Sequence, residues 1–370
     1  MKVLHINSYY LLRPLHQTMI EHLNRTGVES VVMAHTSEAE APVITPAENV
    51  HVMKCFNKWD KPFFYLKQAK VFRAAKKEFN FSDFDFTHSY SLFSSGNCSY
   101  QIKKKYGVPY LVAVRDTDVN VFLKKKPYLK GRGYRILKNA SKIFFLSPMY
   151  KESVISKVVP KENRAEIAAK SEVIPNGIDD FWLENLYSGK TIRENPDSVK
   201  ILFVGEISKR KNLPRLIEAI KLLQKEGMKI DLTVIGKKID RDIYEAMMKE
   251  DFITYHEPMG KESLIKYYRE NDLFVLPSLT ETFGLVYAEA MSQALPVLYT
   301  KGQGFDGQFE DGVVGYAIDA EDPSDIARRI KDSLARLGEL GKNCVELAPR
   351  FGWTEITKHY AEIYKELKLV

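Results

Sequence analysis

The residues best suited to chemistry lie in the segment 276–298, LPSLTETFGLVYAEAMSQALPVL. The apolar run Leu273–Leu276 predicts a strand that is buried on both faces of a parallel sheet. Gly284 follows in a turn, and a helix then begins with Leu285 and Val286. A glycine turn that opens a helix leaves backbone N–H groups unpaired and directed at one spot, where an anion such as a diphosphate binds well. The segment therefore predicts a phosphate-binding corner.

Two carboxylates flank this predicted corner. Glu281 lies in the loop, and Glu289 lies in the early part of the helix. A more ordinary interpretation stays open on the local pattern alone. Many strands of α/β proteins end in a glycine turn, and a glutamate in the first helical turn also complements the helix dipole.

A second stretch, ILFVGEISKRKNLPRLIEAI at 201–220, has the same order of parts. A predicted strand runs into a turn at Gly205, a basic loop follows, and a helix comes next. Arg210 and Lys211 thus occupy positions where cations could clamp a diphosphate. A solvated basic loop is the alternative that the residues alone leave open.

Both segments resemble the signatures of one family, the family 4 retaining glycosyltransferases, which have the two-domain GT-B fold. The first resembles its E-x(7)-E motif, which runs here from Glu281 to Glu289 inside PSxxETFGLVxxEAM. The glycine-rich segment 301–316, KGQGFDGQFEDGVVGY, resembles a variant found in bacterial members of polysaccharide and teichuronic-acid type. This resemblance implies a nucleotide-diphosphate sugar as co-substrate. No visible motif requires a metal or another cofactor, because cations are already present.

The second segment resembles the VGRLxxxKG pattern, whose Arg and Lys hold the donor diphosphate. Lys211 matches that Lys, whereas Glu206 stands at the Arg position and Asn212 replaces the final Gly. Arg210 or Lys209 could supply the missing charge from the same loop.

The resemblance also implies roles for the individual residues. It implies that Lys211 and Arg210 stabilise the leaving diphosphate, that Glu281 contacts the donor sugar, and that neither glutamate is a covalent nucleophile. The predicted nucleotide-binding residues are Gly205, Lys211, Gly284, Leu285, Val286, Glu289 at the ribose and His256 near the base.

The acceptor side matches the family less completely. LVAVRDTDVN, at 111–120, occupies the place of a His-Gly-x-Asp pattern near the reacting sugar. Arg115 stands where the histidine would be, and Asp118 keeps the aspartate. Arg115 could bind an acidic sugar or a phosphate, or it could pair with Asp116 or Asp118.

The fold class predicted for the chain is α/β, with two doubly wound Rossmann-like domains facing a cleft. Its 370 residues are too many for one ordinary core, and strand and helix patterns alternate along them. The turn VIPNGID at 173–179 predicts the boundary between the halves. The predicted parts are an acceptor-binding domain at 1–179 and a nucleotide-sugar-binding domain at 180–350. The resemblance to the family implies that a helix at 351–370 returns to the first domain.

Charge separates the two halves of the chain. Residues 1–179 contain 28 Lys and Arg against 16 Asp and Glu, or +12, and the remainder contains 27 against 32, or −5, which together give +7. The stretch FFYLKQAKVFRAAKKEF at 63–79 has helical spacing of apolar residues with basic residues between them. It could lie on an anionic membrane surface, to which each nearby Lys or Arg contributes about 1 kcal/mol. A core-facing helix with a solvated basic face is the alternative.

These observations predict a retaining glycosyltransferase that extends a bacterial surface polysaccharide or a lipid-linked acceptor from a UDP-sugar. No stretch reaches the roughly 18 apolar residues of a membrane span and no nucleic-acid module is present, so the predicted location is the cytoplasm or the inner face of the cell membrane. The alternatives are a nucleotide-sugar epimerase of the same fold and a non-catalytic nucleotide- or sugar-binding protein.

Overall fold

A computed structural model describes residues 1–37, 45–189 and 198–369 of the chain. The chain forms two compact units, each built around one parallel sheet. The first unit contains Met1–Leu146, Tyr150–Gly177 and the C-terminal stretch from Trp353 onward, and the second contains Ser147–Met149 and Ile178–Gly352.

The first unit has a seven-stranded sheet. Its strands are β1 (Lys2–Ile6), β2 (Glu29–Ser37), β3 (Val50–Phe56), β4 (Phe86–Ser89), β5 (Tyr110–Val114), β6 (Lys142–Phe145) and β7 (Ser171–Val173). They pair in parallel in the order β3-β2-β1-β4-β5-β6-β7. Strands β4 and β5 are buried along their whole length, as strands covered by helices on both faces must be.

The second unit has a six-stranded sheet. Its strands are β8 (Val199–Val204), β9 (Ile230–Ile235), β10 (Ile253–His256), β11 (Leu273–Leu276), β12 (Val297–Thr300) and β13 (Gly315–Ile318). They too are parallel, in the order β10-β9-β8-β11-β12-β13. In each sheet the chain first builds outward on one side of the first strand and then crosses to its other side, which is the doubly wound arrangement.

Helices connect these strands. The helices of the described residues are α1 (Pro14–Arg25), α2 (Phe64–Glu78), α3 (Gly96–Tyr106), α4 (Lys130–Asn139), α5 (Pro148–Val158), α6 (Arg164–Ala169), α7 (Asp180–Glu184), α8 (Leu213–Lys225), α9 (Arg241–Met247), α10 (Lys261–Glu270), α11 (Leu285–Ser292), α12 (Pro323–Leu334), α13 (Leu337–Leu347) and α14 (Trp353–Lys368). Among them, none combines the length and the apolarity that crossing a bilayer requires.

The C-terminal helix α14 belongs to the first unit. Its buried Trp353, Tyr360 and Tyr364 pack in one core cluster with Val3 of β1 and Phe86 of β4. The aromatic side chains of this helix therefore complete the core of a sheet whose strands come from the N-terminal half of the chain.

The chain passes from the first unit to the second within the turn at 173–179. Gly177 ends a segment of the first unit, and Ile178 begins the second. Ile178 donates its N–H to the carbonyl of Phe351 at 2.9 Å and is buried in the core of the second unit. The side chain and the hydrogen bond of Ile178 thus fix it to the second unit.

Helix α2 shows which of the two interpretations of its sequence applies. Phe64, Gln68, Val71 and Ala75 are buried, and their spacing places them on one face of the helix toward the core. The helix therefore buries its apolar stripe in the protein, and its basic residues form the solvated face.

Candidate functional site

The candidate site lies where β8 and β11 are neighbours in the second sheet. After β8 the chain builds β9 and β10 on one side, and it then crosses to β11 on the other side. The loops that follow β8 and β11 must therefore part in opposite directions, which opens a crevice at the carboxyl ends of these two strands. Both segments that the sequence singles out, 205–212 and 277–284, begin at this crevice.

Two loop glycines allow close packing at this edge of the second sheet. A Cβ atom on Gly236 would lie 1.8 Å from the carbonyl oxygen of Gly205, and one on Gly304 would lie 1.9 Å from that of Thr282. Gly205 itself faces the aliphatic stem of Lys211, because a Cβ atom there would be 3.5 Å from Cε. Gly205 thus borders the lysine that the sequence predicts beside it.

Asn212 explains one departure from the family pattern. Residues Lys209–Lys211 form a short 3-10 turn, and Asn212 ends it in the left-handed conformation with φ of 56°. Glycine adopts this conformation without strain, and asparagine is among the few other residues that do so readily. The Asn212 side chain also donates a hydrogen bond to the carbonyl of Ala320 at 2.6 Å.

Lys211 and Glu281 form a buried ion pair at the centre of the crevice. The lysine Nζ donates to Oε2 of Glu281, and only 7% and 9% of the two residues' surfaces are exposed. The sequence predicts both residues near a diphosphate but does not predict their pairing. The pair keeps a positive charge inside the protein without a ligand, because the carboxylate compensates it.

Glu281 is also fixed by neutral neighbours. The Ser278 hydroxyl donates to Oε2 at 3.3 Å, and the backbone N–H of Glu281 donates to the side-chain oxygen of Gln303 at 3.0 Å. Neither Ser278 nor Gln303 is predicted from the sequence, and no motif marks them.

Arg210 lies at the exposed rim of the same cluster. Its Nη1 donates to the Thr280 carbonyl at 3.1 Å and is 3.8 Å from the Glu281 carboxylate. Its Nη2 pairs with Glu206 at 3.3 Å. Arg210 therefore brings a guanidinium to the crevice, and Glu206, which replaces the family arginine, is its partner.

Helix α11 directs its N-terminus into this cluster. Gly284 precedes the helix with φ of +80°, and a Cβ atom there would be 2.5 Å from the Tyr287 ring. No side chain caps the helix. The Tyr287 N–H donates to the Gly284 carbonyl at 3.0 Å. The N–H groups of Leu285 and Val286 precede it in the first turn, where an α-helix supplies no carbonyl one turn earlier to accept them. They can donate to an anion.

Glu289 lies farther along α11 and is partly buried. The hydroxyl of Tyr268, in α10, donates to its Oε2 at 3.1 Å. Burial raises the pKa of Glu289 to about 7, with a smaller contribution in the same direction from Asp179, whereas the Tyr268 hydrogen bond lowers it. Tyr268 carries no motif and is found only through the packing of α10.

His256 lies away from this charge cluster. It ends β10, which is two strands from β8 and hence about 10 Å to one side. Its ring packs against Tyr267 with the ring centres 4.9 Å apart. A ligand that extends from the crevice across the end of β9 would reach His256.

The two residues predicted on the acceptor side lie in the first unit. Asp118 is fully buried and accepts the N–H groups of Leu92, Phe93 and Arg115 at 2.8–3.0 Å. Burial raises its pKa to about 6 although these hydrogen bonds oppose the shift. Asp118 therefore shapes the loop after β5.

Among the described residues, the Arg115 guanidinium forms no side-chain ion pair with Asp116 or Asp118, although its charge lowers the pKa of Asp118. The guanidinium donates instead to Oδ1 of Asn176 at 2.9 Å and to the Tyr90 carbonyl at 3.3 Å. The reason is that backbone N–H groups already engage the Asp118 carboxylate. Nearby, the buried side-chain nitrogen of Asn7, just after β1, has no hydrogen-bond partner among the described residues. Nothing in the sequence distinguishes Asn7.

No three His, Cys, Asp or Glu side chains come together as a set that could hold a metal ion within residues 1–37, 45–189 and 198–369. That the protein requires no metal remains a prediction.

Two family models match the chain. The model described as "Glycosyltransferase Family 4" matches residues 17–180, and the one described as "Glycosyl transferases group 1" matches residues 189–350. Together the two matches include most of the sequence and both units.

Two relatives cover large parts of the chain. The D-inositol 3-phosphate glycosyltransferase of Paenarthrobacter aurescens (strain TC1) is 26% identical over an alignment of 305 residues that covers 76% of this chain and 73% of that protein. An uncharacterized 41.2 kDa protein in the cps region of Klebsiella pneumoniae is 26% identical over an alignment of 362 residues that covers 92% of this chain and 96% of that protein.

Two solved structures share the whole fold. The sucrose-phosphate synthase of Thermosynechococcus elongatus has a TM-score of 0.75 at 19% identity and covers 99% of both chains. The Anabaena protein HepE, solved with UDP-glucose, has a TM-score of 0.67 at 16% identity over 99% of this chain and 100% of its own. The predicted fold class, an α/β protein with two Rossmann-like domains of GT-B type, is thereby confirmed.

Proposed function

Because the chain belongs to family 4 of the glycosyltransferases, we propose that it transfers a sugar from a UDP-sugar, with retention of configuration, to a bacterial surface polysaccharide or a lipid-linked acceptor. The UDP-glucose complex of HepE supports the choice of donor. The location of the Klebsiella relative's gene in a cps region supports the choice of acceptor. We further propose that the protein acts at the inner face of the cell membrane.

The observation that carries this proposal is the buried pair of Lys211 and Glu281 beside the uncapped start of α11. An ammonium group has three N–H donors, and Glu281 uses one of them. The remaining donors of Lys211, together with the N–H groups of Leu285 and Val286, fit the oxygens of a diphosphate. All these donors are fixed before the ligand arrives.

The proposed reaction uses this fixed charge. As the bond between the sugar and the diphosphate breaks, negative charge grows on the leaving diphosphate, and Lys211, Arg210 and the helix N–H groups stabilise it. Preorganised electrostatic stabilisation of this kind is usually the largest catalytic contribution. The proposed reaction needs no covalent intermediate. Glu281, which is held by Lys211 and Ser278, contacts the donor sugar rather than attacking it.

Two further residues complete the proposed donor site. The carboxylate of Glu289 accepts hydrogen bonds from the ribose hydroxyls. His256, two strands away, lies beside the base. On the acceptor side, Arg115 and the unpaired amide nitrogen of Asn7 offer donors to hydroxyl or anionic groups of the acceptor.

A panel of nucleotide sugars tests this proposal. UDP-glucose, UDP-galactose, UDP-N-acetylglucosamine, UDP-glucuronic acid and GDP-mannose are each screened for a rise in melting temperature, because a ligand that binds only the folded state stabilises it. The stabilising donor is then incubated with and without a lipid-linked acceptor and with EDTA. We expect an acceptor-dependent product that retains the anomeric configuration of the donor and forms in the presence of EDTA.

The same experiment separates the alternatives. An isomerised nucleotide sugar formed without acceptor would identify an epimerase. Binding of a nucleotide sugar without turnover, under all acceptor conditions, would identify a binding protein.

A further inference from the structure

Exposed aromatic side chains concentrate on one part of the first unit. Among the described residues, five aromatic side chains are exposed, and four of them lie in the segments 58–67 and 121–132. Trp59, Phe63 and Tyr128 expose 74%, 64% and 60% of their surface. We call the exposed apolar residues of these two segments the aromatic patch; they are Trp59, Phe63, Tyr65, Leu66, Val121 and Tyr128.

The two segments adjoin in space although about 60 residues separate them in sequence. The Lys126 side chain donates to the carbonyl of Pro62 at 3.1 Å. Beneath the surface, the rings of Phe64 and Phe122 are in edge contact with their centres 6.3 Å apart. The exposed side chains therefore belong to one continuous surface on a packed aromatic base.

This surface is strongly basic. The segments 58–67 and 121–132 contain eight Lys and Arg residues and one acidic residue, Asp60. Asp60 is buried, and the Lys70 ammonium donates to both of its carboxylate oxygens. It therefore removes little of the positive charge that the surface presents. Lys58, Lys124 and Lys125 are exposed beside the aromatic side chains.

The patch lies at a defined edge of the first sheet. Its first segment follows β3, and its second follows β5. Because the carboxyl ends of parallel strands share one edge, both segments lie at the edge where doubly wound sheets bind their ligands. Arg115 and Asn7, the proposed acceptor contacts, follow β5 and β1 at this edge too.

We propose that the aromatic patch inserts into the interface of an anionic lipid leaflet and presents the carboxyl edge of the first sheet to a membrane-bound acceptor. Trp and Tyr concentrate at bilayer interfaces, and clustered lysines are attracted to anionic headgroups. Exposed aromatic groups surrounded by lysines match both requirements. This inference rests on one part of the proposed function, namely that the acceptor is bound to the membrane.

Helix α2 has a limited part in this arrangement. Its apolar stripe is buried in the core, so the helix does not lie flat on the membrane as the sequence alone allows. Only its first turn, with Tyr65 and Leu66, joins the patch.

Sedimentation with vesicles tests the proposal. The full chain is mixed with vesicles of phosphatidylcholine and phosphatidylglycerol (70:30) or of phosphatidylcholine alone, without nucleotide or acceptor. We expect at least tenfold stronger partitioning onto the anionic vesicles, and weaker binding in 0.5 M NaCl because the salt screens the charges. Trp59→Ser/Phe63→Ser and Lys124→Gln/Lys125→Gln should each reduce partitioning at least fivefold.

Matched controls come from the opposite edge of the same sheet. Tyr106→Ser and Lys104→Gln/Lys105→Gln change exposed residues of the same types at the C-terminus of α3, which runs back from the carboxyl edge. These variants should partition like the wild type. Circular dichroism and the melting temperature with UDP establish that every variant is folded and binds nucleotide.

Equal partitioning of the wild type and the two patch variants would overturn the proposal. A second result would also overturn it: the two patch variants bind vesicles like the wild type but have lost self-association or RNA binding. Because the vesicle assay contains no sugar donor, its failure leaves the proposed transfer reaction untouched. A failure of transfer with normal vesicle binding would overturn the proposed function alone.

Discussion

Lys211 and Glu281 carry opposite charges in a buried crevice whose proposed ligand is itself an anion. Removing one partner of such a pair leaves an uncompensated charge, which costs more than the pair contributes. Activity lost on changing Lys211 could therefore come either from unfolding or from a lost ligand contact. Variants of both residues separate these two effects.

Lys211→Ala should lower the free energy of unfolding by about 3–5 kcal/mol because it leaves the Glu281 carboxylate buried without a cation. The double variant Lys211→Ala/Glu281→Gln should recover most of this loss. Both variants should lose about 2–4 kcal/mol of transition-state stabilisation in kcat/KM. Urea unfolding and transfer kinetics measure the two quantities.

Lys225→Ala, at the far end of α8, serves as the control and should change neither quantity. Wild-type kcat/KM in the folded double variant would contradict the assignment of Lys211 to the diphosphate.

Glu289 should make donor binding depend on pH. Its pKa of about 7 in the folded protein lies above the ordinary value of 4.5, chiefly because of burial. Only the ionised carboxylate accepts hydrogen bonds from both ribose hydroxyls, so donor affinity should rise with pH through a midpoint near 7 and level off above it. Isothermal titration of a UDP-sugar, whose diphosphate has no group that titrates between pH 5.5 and 8.5, measures this, and Glu289→Gln should remove the pH dependence.

The same shift affects stability in the opposite direction. Between pH 4.5 and about 7 the folded state holds up to one more proton than the unfolded state, so the free energy of unfolding falls as pH rises, by on the order of 3 kcal/mol. The Glu289→Gln variant should lack this decline. A wild-type stability that rises steadily over this range relative to the variant would contradict the assignment.

Tyr268 acts on the ligand through Glu289 and is a positioning residue. Tyr268→Phe removes the hydrogen bond that lowers the Glu289 pKa, so the midpoint of the pH dependence should move upward. Donor affinity at pH 8.5, where the carboxylate remains ionised, should change less than affinity at pH 6.5. An unchanged midpoint would show that the tyrosine serves packing only.

At the scale of elements, the turn between β8 and α8 sets the position of Lys211. Asn212 holds the left-handed conformation there and bonds the Ala320 carbonyl. Asn212→Ala should cost about 2–3 kcal/mol of unfolding free energy, from backbone strain and the lost hydrogen bond. Asn212→Gly keeps the conformation without strain and should cost about 1 kcal/mol. Thermal unfolding compares the two variants, and equal costs would contradict this account of the turn.

The sequence predicts those parts of the site that follow strand ends directly. Lys211 and the Gly284–Val286 turn lie near each other because β8 and β11 are neighbours, and both strands are apolar runs with clear ends. Tyr268 and Gln303 reach the same site through the packing of α10 and of the loop after β12. No local pattern records such packing, so sequence reasoning does not find them.

Some strands have no clear pattern in the sequence. The edge strand β3, VHVMKCF, is buried only at its two ends and includes a lysine, so it lacks the continuous apolar run of the central strands. The three residues of β7 are too few to show a period, and β13, GYAI, begins with a glycine, which weakens a strand pattern. Long-range pairing within the parallel sheets, rather than local preference, determines these strands.

At the scale of the whole molecule, the uneven charge of the chain acquires a structural meaning. The excess of +12 in residues 1–179 includes the lysines around the aromatic patch, whereas the remainder of the chain is slightly acidic. The proposed donor site therefore depends on a few fixed cations in an acidic unit. The proposed membrane contact depends on many exposed cations in the basic unit.

The central claim is that the crevice between β8 and β11 binds the donor diphosphate, and a crystal structure of the protein with uridine diphosphate tests it most directly. We predict that phosphate oxygens lie about 3 Å from Lys211 Nζ and from the N–H groups of Leu285 and Val286, with the ribose at Glu289. A diphosphate bound elsewhere on the protein, or a crevice left empty at a saturating concentration of the nucleotide, would contradict the account.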